Sequence, residues 1–109
     1  IRWRHEGANW HIEARGHMAG GEFVVLRGSL ASGSFTPSAS GSTRILRQKL
    51  MDDGVLRKRQ DGKCRFVQDF RFGSPSAAAG VVCGAETNGW TAWKDDRGRT
   101  LREVRQNGP

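Results

Sequence analysis

No catalytic vocabulary is written into this chain. Its three histidines, His5, His11 and His17, all fall within the first seventeen residues, and no serine or cysteine is locally paired with a histidine in a recognisable nucleophile motif. The histidines lack ligand spacing on any one regular element, and the carboxylates occur mainly in turn-like sequence, so neither a metal centre nor a cofactor is expected. Cys64 and Cys83 are the only cysteines and form no Cys-x-x-Cys unit, which argues against a structural zinc site. A disulfide stays open, but an apolar strand and an apolar helix favour two core thiols of a reducing compartment. Long apolar runs are also missing. Stretches such as Phe23-Val24-Val25-Leu26 fall far short of the about 20 residues that span a bilayer, and nothing has the build of a signal peptide. The expectation is a cytoplasmic, non-enzymatic protein without membrane contact. An opening at Ile1 rather than Met suggests a segment of something longer.

Positive charge is abundant and localised. The net charge is +7 with a pI near 10.7. Between Gly41 and Arg65 stand eight basic residues (Arg44, Arg47, Lys49, Arg57, Lys58, Arg59, Lys63, Arg65) against Asp52, Asp53 and Asp61, a local excess of +5. A cluster of that kind on one helix and one hairpin is the footprint of a polyanion-binding surface, nucleic acid first among the candidates.

The pattern of elements is that of one α+β domain, a mostly antiparallel sheet of about five to seven short strands with two helices packed on it. In 10–15, Trp10, Ile12 and Ala14 alternate with His11, Glu13 and Arg15, a half-buried strand. Gly20-Gly21 turns it into a second strand at 23–26. The Gly/Ser-rich stretch 28–41, GSLASGSFTPSASG, lacks the spacing of a nucleotide-binding phosphate loop and reads as a surface loop with Phe35 as its lone anchor. Ser42 would cap a helix over about 42–53, with Ile45, Leu46 and Leu50 inward and Arg44, Arg47, Gln48 and Met51 outward. Residues 55–59 and 63–68 form a hairpin across Asp61-Gly62, and Phe70 and Phe72 turn inward. The central helix, 75–83, has both ends written into it: Ser74 as N-cap, Pro75 at the first position, Gly84 as the left-handed stop. Asn88-Gly89 reads as a tight turn, residues 90–94 and 99–104 as a further hairpin with Leu101 and Val104 inward, and the last residues as a frayed, disordered tail. The divisions are an N-terminal strand or extension over 1–20, the domain proper over 21–104 and the tail over 105–109.

The words FVVLRGS from Phe23, the arginine-bearing helix running into Gly54-Val55-Leu56, and FGSPSAAAGVVCG followed by NGWTAWK resemble a bacterial domain of unknown function, family four-three-five-seven, found C-terminal to GIY-YIG nuclease modules. They are more distantly similar to the RAMA (restriction enzyme adenine methylase associated) domain. The likeness spans roughly 21–101. It implies an accessory module attached to a catalytic domain of nuclease or restriction-modification type, contacting DNA and, through the RAMA likeness, preferring adenine-methylated duplex; no catalytic residue comes with it.

Two readings follow. In the first, Arg44 and Arg47 on the helix join Arg57, Lys58, Arg59, Lys63 and Arg65 on the hairpin to neutralise DNA phosphates. Trp90, Trp93 and Asn88 are then the candidates for a base contact, and Ser74 and Ser76 for a phosphate at the helix N-terminus. Against this, Ser74 is fully accounted for as a cap, and tryptophans are more often core. In the second reading the module docks on a protein or orients an attached enzyme domain through an apolar patch of Trp3, Trp10 and Phe35. DNA or RNA as the ligand and the oligomeric state stay open.

Overall fold

A computed structural model of the protein describes residues 3–6 and 13–107, the first four and the last three as backbone only. The architecture is α+β. Among the described residues, β1 (Trp3–Glu6), β2 (Glu13–Ala19), β3 (Glu22–Val25) and β7 (Phe70–Phe72) make one antiparallel sheet in the order β1-β2-β3-β7, and β4 (Leu30–Ala31), β6 (Cys64–Phe66) and β5 (Leu56–Lys58) make a second in the order β4-β6-β5. The Gly20-Gly21 hairpin pairs β2 with β3, Met18 opposite Phe23. Trp10 and Ile12 lie outside the described residues, but Ala14 is buried as the alternation requires. Residues 13–19 are thus an interior strand of the first sheet.

The helix α2 (Pro75–Cys83) is the hub. The Ser74 hydroxyl accepts the Ala77 N–H at 3.1 Å, Pro75 fills the first turn, and Gly84 ends the helix at φ +69°, where the Gly84 N–H donates to Gly80. Its alanines let neighbours come close. Ala78, Ala79, Val81 and Val82 are fully buried, and the helix packs on β3, β4 and β7 as well as on α1 (Gly41–Asp52) and α3 (Gly89–Ala92). Around it gather Phe23, Phe66, Phe72, Leu50 and Leu56, with Phe23 stacked on Trp93 at 4.4 Å.

Three expectations are corrected. α1 has its cap two residues earlier than foreseen, because Ser40 rather than Ser42 accepts the Thr43 N–H. It is also rotated about its axis: Ile45 is 73 % exposed, while Arg47, assigned outward, is 4 % exposed and Met51 packs against the core. A lone exposed isoleucine is tolerable. What draws Arg47 inward is not on its own helix but across from it, at the C-terminus of α2.

The third correction concerns the last quarter. Residues 90–94 and 99–104 are not a hairpin; only a single bridge, Lys94 to Thr100, links them. Instead Asn88 caps α3, its Oδ1 accepting the Trp90 N–H, so Asn88-Gly89 begins a helix rather than a tight turn. α4 (Leu101–Asn107) then takes in most of the expected tail. Thr100 and Glu103 form a capping box: the Thr100 hydroxyl accepts the Glu103 N–H, and Glu103 Oε1 accepts from Thr100. The Gly/Ser stretch is mostly loop, interrupted by β4. Cys64 is buried and Cys83 half-buried, and the two are not joined in a disulfide.

Candidate nucleic-acid interface

The β5–β6 hairpin owes its outer face to its turn. A two-residue loop would place Arg57 and Arg59 on the same side as Cys64 and Phe66 and bury them, since a one-residue slip exchanges the faces of a strand. The loop instead takes three residues, with Gln60, Asp61 and Gly62 between Arg59 and Lys63, whose N–H to C=O bond closes it at 2.7 Å. Leu56 then faces Phe66 on the core side, and Arg57 faces Arg65 on the outer side.

The result is a ladder of like charges. Arg57 lies directly opposite Arg65, and Arg59 opposite Lys63, positions whose Cβ atoms sit about 5 Å apart. Arg59 has one carboxylate partner, Asp61 at 3.3 Å, both exposed. Arg57, Lys63 and Arg65 have none among the described residues. Same-face residues two apart on a strand are separated by about 6.6 Å, so the four cations occupy a rectangle rather than a line. Lys58 is exposed at the end of β5, with the Cys64 side of the sheet behind it.

Arg44 and Arg47 do not join this ladder. Both guanidinium carbons lie 4.9 Å from the centroid of the Phe35 ring. Arg44 donates to the carbonyls of Thr36 (3.1 Å) and Ala39 (3.3 Å), and Arg47 Nη1 donates to Ser34 at 3.4 Å. A Cβ placed on Gly84 would stand 3.3 Å from Arg47 Nη1, so the buried cation sits against the C-cap of α2. α2 has no basic residue in its own last turn. Arg47 thus supplies from α1 the positive charge that complements the negative end of the α2 dipole. The expected helix half of the basic face is therefore split, Arg47 buried against the end of α2 and Arg44 exposed but engaged with the Thr36 and Ala39 carbonyls. Phe35, also proposed as part of an apolar docking patch, is covered by the same two arginines.

The residues assigned to base or phosphate contact converge, but on one another. Ser74 is occupied as a cap, and Ser76 Oγ accepts the Gly89 N–H at 2.9 Å. Trp93 is fully buried, and its Nε1–H donates to the Pro75 carbonyl at 3.0 Å. Trp90 is half-buried against the core. These contacts fasten α3 across the start of α2. Beside them an open groove of about 460 Å³ is lined by Ser42 and Thr43 of α1, Ser76 and Gly80 of α2, and Glu86 and Asn88.

Sequence reasoning passed over Asp95. It is 8 % exposed and accepts from the Arg97 and Arg99 N–H groups and from Arg99 Nε at 2.9 Å. Burial works to raise its pKa, yet the Arg99 and Arg97 amides and the Arg99 guanidinium outweigh it and hold the carboxyl below the usual range. The Asp-Asp-Arg-Gly turn following Lys94 was the signal for it.

Residues 5–105 match the domain of unknown function DUF4357. The chain belongs to that family. The DUF4357 match reaches back to His5, so it takes in β2 and its hairpin with β3 as well as the words that first suggested the likeness. No curated protein and no solved structure matches this DUF4357 chain. Among the described residues there is no group of His, Cys, Asp and Glu that could hold a metal ion, and no helix long and apolar enough to cross a membrane.

Proposed function

We propose that this DUF4357 domain is a non-catalytic nucleic-acid-binding accessory module that contacts phosphates through the outer face of β5–β6. The observation that carries the reading is the pair of like-charge couples, Arg57 with Arg65 and Arg59 with the half-buried Lys63, on one sheet face with a single carboxylate beside them. Like charges directly opposite one another on a sheet are unfavourable in the free protein, and a polyanion turns that repulsion into binding. Contacts of this type position a protein on a backbone and do not select sequence. In this reading the module works in the cytoplasm beside a catalytic domain of nuclease or restriction-modification type. Fluorescence anisotropy with a labelled duplex tests it: the wild-type chain binds at low salt, and Arg57→Glu with Arg65→Glu abolishes binding while leaving the circular-dichroism spectrum unchanged. Undiminished binding by that variant would remove the assigned face.

A further inference from the structure

Arg47 Nη2 is the one buried side-chain polar atom without a hydrogen-bond partner among the described residues. No carboxylate among those residues lies within ion-pair distance of Arg47 or Arg44, so two guanidiniums share one aromatic ring and three backbone carbonyls. A buried arginine left short of acceptors is unusual, because desolvating a cation is expensive unless its donors are used. The dipole of α2 offers only about half a negative charge against two full positive ones.

Every partner of the exposed Arg44 and the buried Arg47, the Phe35 ring and the three carbonyls, comes from a single segment, residues 32–40. It is tied to the end of α2 by two backbone bonds of 2.7 Å, Ser32 N–H to the Val82 carbonyl and Thr36 N–H to the Gly84 carbonyl. Its other flank touches the tip of the basic hairpin, where a Cβ on Gly33 would collide with the Gly62 carbonyl. The strap therefore links the tip of the basic hairpin to the two arginines that it engages.

We propose that Arg44 and Arg47 form a phosphate-binding site closed by the 32–40 strap, and that a phosphate group opens the strap by replacing Phe35 and the carbonyls of Ser34 and Thr36 as the arginines' partner. A phosphate oxyanion matches the guanidinium fork with short, charge-assisted bonds, whereas the 3.4 Å bond to Ser34 is a weak use of it. The group could come from free phosphate or from a nucleic-acid backbone. For the second source the inference rests on the proposed function, and there it adds two cations beside the ladder.

The test is amide hydrogen exchange by NMR on the 109-residue chain, in inorganic phosphate, in chloride of matched ionic strength, and with duplex DNA. A ligand that binds only the open strap multiplies its open population by one plus the ratio of concentration to the Kd of the open form, so exchange at Ser32 and Thr36 quickens about tenfold at nine times that Kd. The Val67 N–H, bonded to Val55 away from the strap, stays unchanged. Arg44 is exposed, so Arg44→Gln reports on the site without opening the core, and the quickening shrinks in that variant. Quickening with phosphate by a chain that does not bind DNA in the anisotropy assay leaves the site standing and sinks the nucleic-acid reading. Quickening with DNA alone confines the ligand to phosphodiesters. Exchange at Ser32 and Thr36 that is unchanged or slower with both overturns the proposal.

Discussion

Neutralising Arg57 and Arg65 together, to glutamine, measures the ladder directly. Counterion release gives a log–log salt slope of about −0.9 for each neutralised phosphate on duplex DNA. Of the four cations on the face, Arg59 is shared with Asp61 at 3.3 Å, so three or four phosphates are engaged and the slope lies between about −2.7 and −3.6. Raising salt from about 50 to about 200 mM then weakens the wild-type chain about 40- to 150-fold. The double variant keeps one or two contacts, and the same salt step costs it only about 3- to 12-fold. Anisotropy titrations at four or more salt concentrations separate these ranges. A second readout comes from the free protein, because removing one like-charge couple relieves about 0.2–1 kcal/mol of repulsion at low salt. The variant therefore melts no lower than the wild type. Equal salt slopes in the two proteins would refute the assignment of phosphates to this face, and a clearly lower melting temperature would refute the description of the couple as repulsive.

Other outcomes follow from the same contacts. Gly89→Ala drives a Cβ to 2.2 Å from the Pro75 backbone, whereas at Gly73 a Cβ meets nothing within 4 Å; Gly89→Ala is expected to melt far below Gly73→Ala in matched thermal scans, and equal melting would mean that α3 does not cross α2 this tightly. Because the Asp95 pKa is lowered in the fold, its contribution is present above the ordinary aspartate value of about 3.9 and fades as pH falls through its folded pKa. Melts taken at falling pH should lose less for Asp95→Asn than for the wild type, and parallel acid slopes would contradict this. Burial raises the Cys83 pKa, the Thr87 hydroxyl offsetting part of the rise, and Cys64 is deeper still. Both thiols should react with Ellman's reagent more slowly in the folded chain than in denaturant, where two equivalents appear at once.

The parts legible in the sequence are those whose signals are local. Ser74, Pro75 and Gly84 each satisfy a backbone requirement within one turn of themselves, so the limits of α2 could be read residue by residue. The β5–β6 hairpin was readable because alternation and turn agree. The region from Asn88 onward failed for a related reason: Asn88 and Thr100 are turn formers and also helix caps, and the Thr100-to-Glu103 box was the discriminating signal. Arg47 was beyond reach of any pattern on its own helix. Hydrophobic periodicity put Ile45 inside and Arg47 outside, and the choice was reversed by groups outside its own helix, Phe35 and the negative end of α2.

That reversal changes what the net charge means. Of the eight basic residues between Gly41 and Arg65, Arg44 and Arg47 are engaged with the 32–40 segment, and Lys49 is paired with Asp53 at 3.1 Å. The charge without an intramolecular partner is therefore carried mainly by the hairpin, unless the strap lifts. A count of +5 over the segment describes the unfolded chain better than the folded surface. Folding converts a basic stretch into one open ladder and one pair of arginines engaged by the strap, and the strap is where the two can be coupled. If a polyanion reaches only the ladder, affinity is set by three or four phosphates; if it also displaces Phe35, two more contacts add about −1.8 to the salt slope. Binding isotherms of the wild type and Arg44→Gln across salt distinguish the two states of the module, because Arg44→Gln alters the slope only in the second.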